Sequence, residues 1–223
     1  MKRPETIEID SKTYKCAGYH PALDEYPSCL GINNLTGIVD YLNDAPENWK
    51  DTFIHVEDFD KAVLYQAMEG DFNQRIAIVA ASSRPCQFPF GRKMDVEEFI
   101  ISLHGMFIPN LDRDYLLKLV SGIKIDASAN ITDDGISQTV AAKQGVSSLI
   151  TEIAIKNPIE LQPFRTFNEV EQPASQFIFR LGKNNDTAVC SLHECDGEAW
   201  KQGAIQNIKG FFNKQLPDMP VIA

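Results

Sequence analysis

No stretch of this chain approaches the ~20 consecutive apolar residues that cross a bilayer as a helix, so no membrane partner is expected. The start, MKRPETIEID, lacks the apolar core of a secretory leader behind its basic residues. Cysteine is sparse: 5 in 223 residues, at Cys16, Cys29, Cys86, Cys190 and Cys195. An odd, scattered set without a leader points to reduced thiols in the cytoplasm and away from a disulfide framework. Positive charge is also short. Lys and Arg number 21 against 31 Asp and Glu, a net charge of −10. That excludes indiscriminate attraction to nucleic acid or anionic lipid, since both need a cationic surplus. There is no Walker A loop, no G-x-G-x-x-G, no G-x-S-x-G and no paired C-x-x-C. No cofactor is therefore expected, and no catalytic residue is assigned.

What is present suits an ordinary globular chain. Hydrophobic residues are 43% and charged residues 23%, enough apolar material to build a core without staples. Asn34 caps a helix over 35–43, with Leu35, Ile38, Val39 and Leu42 on one face. Strands over 52–56, 62–68 and 75–81 follow, joined by short polar turns in an antiparallel meander. Asp95 and Glu98 form a capping-box variant ahead of a helix over 96–107. Asp112 caps a second helix over 113–121, closed by Gly122. Residues 123–132 and 136–143 alternate around Asp133-Asp134-Gly135, the signature of a hairpin. Runs over 146–155, 159–166, 177–181 and 188–192 add strands, and Asp196 caps a last helix over 198–215.

Strands mostly adjoin strands in this order. The expected class is α+β, with a mostly antiparallel sheet of about eight strands in two runs and helices on one face. The expected organisation is an arm over 1–31, one α+β domain over 32–216 with its single candidate subdivision near 122, and a loose tail over 217–223.

Four constellations bear on chemistry. Cys190, His193 and Cys195 lie close in sequence, but strand parity turns Cys190 away from His193, and a structural zinc site needs four ligands. No metal is assigned there. Arg92 and Lys93 lead into a helix N-terminus, where two cations and free N–H groups suit an anion; the competing reading is a solvated loop with Asp95 on those donors. Between Pro163 and Pro173, Glu169 and Glu171 sit between Arg165 and Arg180. That spacing predicts one polar cluster bracing the loop through charge-assisted hydrogen bonds, and Arg165 also retains a ligand role. Finally, Phe164, Arg165 and Phe167 have the composition of a base-stacking platform, although core packing of these rings and of Phe177 and Phe179 is favoured. The candidate ligand-binding set is Arg92, Lys93, Arg165, Glu169, Glu171 and Arg180.

Four segments carry a resemblance: FPFGRKMDVEEF (88–99), DDGISQTVAAKQGV (133–146), NPIELQPFRTFNEVEQPASQFIFR (157–180) and ECDGEAWKQGAIQNIKGF (194–211). Together they resemble the YfdQ-like family of bacteriophage and prophage proteins, a family of unknown function. The similarity covers residues 35–216, and the run over 163–180 is its most specific part. The resemblance implies a phage-encoded protein at work in the host bacterial cytoplasm. It brings no activity and no site residues.

The resulting expectation is a non-enzymatic accessory protein that binds a host protein or a small ligand, counter-defence being one such role. The alternative is an accessory factor in phage DNA recombination or replication that binds single-stranded nucleic acid. A third reading is a metal-dependent enzyme using the Cys190, His193 and Cys195 cluster. A homodimer is expected, with the edge strand over 159–166 as one pairing route.

Overall fold

A computed structural model of the chain describes residues 6–15, 20–21, 28–44, 51–66, 75–85, 87–124, 131–133, 138–144, 150–184 and 187–223. In the expected arm, β1 (Thr6–Ile9) and β2 (Lys12–Lys15) form a hairpin, with β3 (His20–Pro21) beside β2. Then come β4 (Leu30–Ile32), α1 (Thr36–Asn43) and the meander β5 (Thr52–Asp58), β6 (Lys61–Gln66) and β7 (Ala77–Ser82). A short β8 (Met94–Asp95) runs into α2 (Val96–Met106), followed by α3 (Leu111–Gly122). Next are β9 (Ile123–Lys124), β10 (Ile131–Asp133), β11 (Gln138–Gln144) and β12 (Ile150–Ile155). The chain ends with β13 (Ile159–Leu161), β14 (Ser175–Asn184), β15 (Thr187–Glu194), α4 (Trp200–Gln215) and β16 (Val221–Ile222).

The class is α+β with mostly antiparallel strands. One sheet runs β16-β5-β6-β7-β4, antiparallel in its centre and parallel at both edge pairs. A second runs β13-β14-β15-β8, antiparallel throughout. A third joins β10, β11 and β12, with β9 against β11. The expected hairpin is present, since Asp133 pairs with Gln138. Its turn, and residues 125–130 before it, lie outside the described residues. Among the described residues no helix is long and apolar enough to cross a membrane.

Buried side chains gather in two clusters that interleave along the chain. One joins α1, β5, β6 and β7 with Ile208 and Phe212 of α4. The other joins Phe99 and Leu103 of α2 and Leu116 and Val120 of α3 with Phe177, Phe179 and Leu181 of β14. Each of these two clusters therefore takes two helices, as an open sheet with one apolar face requires. Gly122 is the last residue of α3, and residues on both sides of it serve the same cluster.

Local details depart from expectation in three places. Asn110, not Asp112, caps α3: its Oδ1 accepts from Arg113 N at 2.7 Å. Asp112 instead accepts from Glu160 N and from Lys156 Nζ. The tail expected to be loose is held, because Val221 and Ile222 pair in parallel with Ile54 and His55 of β5. The strand expected over 159–166 stops at Leu161, and Pro163 bridges Phe107 instead. Its outer edge is closed by the α2–α3 connection: Ile108 N donates to Gln162 O, and Asn110 Nδ2 to Glu160 O. That edge is thereby closed to strand pairing with a second copy.

β13 covers only the first residues of β14. Beyond it, two side-chain amides take over the ladder. Asn157 accepts from Phe179 N at 2.8 Å and donates to Phe179 O at 3.0 Å. Gln138, 3% exposed, does the same for Leu181 at 2.9 and 2.7 Å. An amide carries donor and acceptor side by side, as a backbone peptide does. Gln138→Leu keeps the bulk but leaves the Leu181 N–H and C=O buried without partners. The expected loss is about 1–3 kcal/mol in urea unfolding.

On the other face of the first sheet, Tyr65 Oη donates to Glu57 Oε1 at 2.6 Å, and Lys61 pairs with the same carboxylate. Lys61 and Tyr65 together hold the Glu57 carboxyl below its ordinary range. The hydrogen bond to Glu57, with burial, pushes the Tyr65 phenol up to about 12. A raised phenol contributes stability that is complete below the ordinary tyrosine value of about 10 and is lost as pH rises through the folded value. Ultraviolet titration should show a tyrosinate step near pH 12, and Tyr65→Phe should remove it.

Candidate functional site

The loop between β13 and β14 organises the site. Its brace is a neutral amide. Gln172, 2% exposed, accepts from Arg165 N at 2.9 Å and Thr166 N at 3.2 Å, and donates to Phe167 O at 2.8 Å and Val170 O at 3.2 Å. One residue thus satisfies four backbone groups, at less desolvation cost than a buried ion pair. The Thr166 hydroxyl donates to Phe59 O, and Asn207 of α4 donates to Glu171 O. Gly203 of α4 lies close over Pro173: an added Cβ would meet its ring carbons at 3.5–3.6 Å.

Held this way, Arg165 projects into a box of rings. Its guanidinium carbon lies 4.2 Å from the Trp200 centroid, 5.4 Å from Phe177 and 5.6 Å from Phe90. Arg165 is 7% exposed, and its Nη1 donates to Glu194 Oε1 at 2.5 Å. Burial pulls the Arg165 pKa down, while Glu194 and Asp196 oppose that pull. Its Nε and Nη2, and the Trp200 indole Nε1, are buried without a hydrogen-bond acceptor. Beside this group lies a cavity of about 140 Å³, walled by Phe59, Phe88, Phe90 and Trp200, with Arg165 and Glu194 in its lining and Gln87 at its exposed margin.

The other candidates fall elsewhere, and the expected cluster of Arg165, Arg180, Glu169 and Glu171 does not form. Glu169 Oε1 accepts from Thr36 N at 2.8 Å and Thr36 Oγ1 at 2.9 Å, so it closes the N-terminus of α1. Glu171 is exposed and contributes its backbone carbonyl. Arg180 alternates with Phe177, Phe179 and Leu181, which face the core, and so lies on the opposite face of β14. There it lines a separate pocket of about 330 Å³ with Lys93, Ser191 and His193. Arg92 pairs with Glu98, whose own N–H is capped by Asp95 at 2.7 Å.

No known family model, curated protein or solved structure matches the chain. The local geometry alone therefore ranks these places.

Phe167, Phe177 and Phe179 are fully buried, so these rings are core, whereas Phe164 of the expected stacking platform is half-buried. Cys190 faces the core on β15, where burial pushes its thiol up to about 12, while His193 is exposed on the other face. Among the described residues no three His, Cys, Asp or Glu side chains converge as metal ligands.

Glu194 and Trp200 were not singled out from sequence as partners of Arg165. A signal was available for Glu194: Cys190 and Leu192 face the core, and the same parity turns Glu194 inward. An inward carboxylate calls for a cation. Trp200 read only as one of the apolar residues along α4.

Arg165→Met keeps much of the bulk but removes the partner of Glu194 and the stacked cation. The expected loss is about 2–3 kcal/mol by urea unfolding. Arg165→Lys restores charge without the planar fork, and should recover only part of that loss.

Proposed function

We propose that this chain is a phage- or prophage-encoded accessory protein of the host bacterial cytoplasm, without an enzymatic role, that works by enclosing a ligand at the Arg165–Trp200 cavity. The ligand is a small molecule or a side chain of a host protein. One observation carries this reading. A buried arginine is hydrogen-bonded by one carboxylate side chain, Glu194, with Asp196 nearby, and its Nε and Nη2 and the Trp200 indole lack acceptors beside an aromatic-walled space. Buried donors without partners are uncommon in folded proteins and mark places where a partner is expected. The walls are apolar with a few polar groups, as in small-molecule sites generally. Arg165 and Glu194 neutralise each other, which favours an uncharged planar group bearing hydrogen-bond acceptors over a free anion.

The homodimer belongs to the same reading. With the outer edge of β13 closed, it would use another surface, and light scattering should return the mass of two chains.

The cavity is tested by mass spectrometry of small molecules released on heating from protein purified out of a bacterial host, paired with a pull-down from the same lysate. Gln87 is exposed at the cavity margin, so Gln87→Trp fills the cavity without disturbing the core. The expected result is a released molecule, or a captured protein, that the Gln87→Trp variant loses at unchanged melting temperature. Identical yields from both proteins would count against the cavity. A complex with single-stranded DNA at low salt that weakens steeply with ionic strength would favour the nucleic-acid alternative.

A further inference from the structure

The Arg165–Trp200 cavity is small enough to limit what fits it. Its volume is about 140 Å³, and an apolar protein cavity of ~150 Å³ holds a single benzene ring. Two fused rings are therefore too large. The walls are rings from three parts of the chain. Phe59 follows the end of β5 and stands 4.9 Å from Trp200 at 65°. Phe88 and Phe90 lie 5.0 Å apart at 51° on the loop before β8. Tilted pairs of this kind offer both faces and edges, and an added ring packs well on either.

The backbone holds these rings in place. Phe90 N donates to Phe88 O at 2.9 Å, and Gly91 N to Leu192 O at 2.7 Å. Phe59 N donates to Asp58 Oδ1 at 2.7 Å, and Phe59 O accepts from the Thr166 hydroxyl. Trp200 follows Gly197 and Glu198, at φ +61 and +63. A glutamate in the left-handed region is strained, and this one stands two residues before a cavity wall. Its side chain pairs with Lys201 at 2.7 Å, whose Nζ lies 5.5 Å from the Phe59 centroid and 6.0 Å from that of Trp200.

Charge narrows the choice further. Arg165 is paired with Glu194, with Asp196 near it, and Lys201 is paired with Glu198. A charged ligand would find both signs already answered, so a neutral one is favoured. Polar groups of both kinds nevertheless line the space. Arg165 Nε and Nη2 and Trp200 Nε1 are donors without an acceptor among the described residues. Glu194 spends Oε1 on Arg165 and brings a second carboxylate oxygen. A carbonyl would answer the donors alone. A hydroxyl accepts and donates at once, and so answers an arginine and a carboxylate together. On an aromatic ring it stays neutral at neutral pH, because a phenol titrates near about 10.

Resting on the enclosure of a ligand proposed above, we propose that this cavity takes one phenol ring. The ring packs among Phe59, Phe88, Phe90 and Trp200, while its hydroxyl donates to Glu194 and accepts from Arg165. A free monocyclic phenol and the tyrosine side chain of a partner protein share this chemistry.

NMR titration of the whole protein with p-cresol tests this, beside toluene, 2-naphthol and N-acetyl-tyrosinamide. Half-saturation by p-cresol is expected at about 1 mM or below. Toluene, which lacks the hydroxyl, should bind at least about tenfold more weakly, and 2-naphthol, with its second ring, should not saturate. Gln87→Trp should abolish p-cresol binding at unchanged melting temperature. Tighter binding of the tyrosinamide than of p-cresol would assign the ring to a partner's tyrosine, and the reverse order to a free small molecule. No saturable binding of either phenol would overturn the proposal, as would equal affinity for toluene and p-cresol, 2-naphthol binding as tightly as p-cresol, or full p-cresol binding by Gln87→Trp. A heat-released molecule that Gln87→Trp loses, with neither phenol binding, would remove the phenol and leave the enclosure standing. No released molecule, no captured protein and no phenol binding would remove both.

Discussion

The contact on which this architecture turns is the stacking of one guanidinium between rings that belong to different parts of the molecule. Arg165 lies over Phe90 and Phe177, which belong to the cluster built on β14, and over Trp200, the first residue of α4, whose later turns pack on the other sheet. A planar cation can meet apolar faces on both sides and still keep one edge for a carboxylate. No aliphatic side chain offers that combination. The cost is a charge drawn out of water, offset by Glu194 and by the ring faces together.

The loop that delivers Arg165 relies on a different kind of chemistry. Gln172 replaces with one amide the regular hydrogen bonding that a proline-bounded loop lacks, and Asn157 and Gln138 repeat the device along β14. Three amides, Gln138 and Gln172 buried and Asn157 half-buried, thus satisfy backbone groups that the strands leave unpaired. A neutral amide supplies both donor and acceptor, so it completes such a ladder without the desolvation penalty of an ion. The charged residues of the same region are thereby released for the surface and for the two pockets.

Much of the fold was legible in the sequence. Periodicity placed α1, α2 and α4 within a few residues, with Asp95 capping α2 as expected and Asp196 bonding only Glu198 N ahead of α4, and the alternation over 136–143 and 188–192 marked real strands. The α+β class followed from the order of elements. Partnerships across the chain were not legible, because spacing reports which side of its own strand a residue takes and not what stands opposite. Arg165 lies outside any strand, so no parity constrained it, and pairing it with Glu169 was a guess from proximity. Glu169 went to Thr36, 133 residues away. For Arg180 the parity of Phe177 and Phe179 was enough to place it on the outer face. The same parity, applied to Glu194, pointed inward toward the cation it holds. The pocket around Lys93 needed the register between β8 and β15, and a strand of two residues leaves too faint a pattern to read.

The parallel pairing of β16 with β5 has a bearing on how the chain matures on the ribosome. The meander from Thr52 to Ser82 leaves the exit tunnel long before Ile208, Phe212 and Val221, which complete its cluster and its edge. Contacts so distant in sequence raise contact order and slow folding, because loop closure must precede the burial that rewards it. The nascent meander therefore spends most of synthesis with an open edge and an uncovered apolar face, a state prone to aggregation. Chaperone demand should concentrate in that interval and end when the last thirty or so residues arrive.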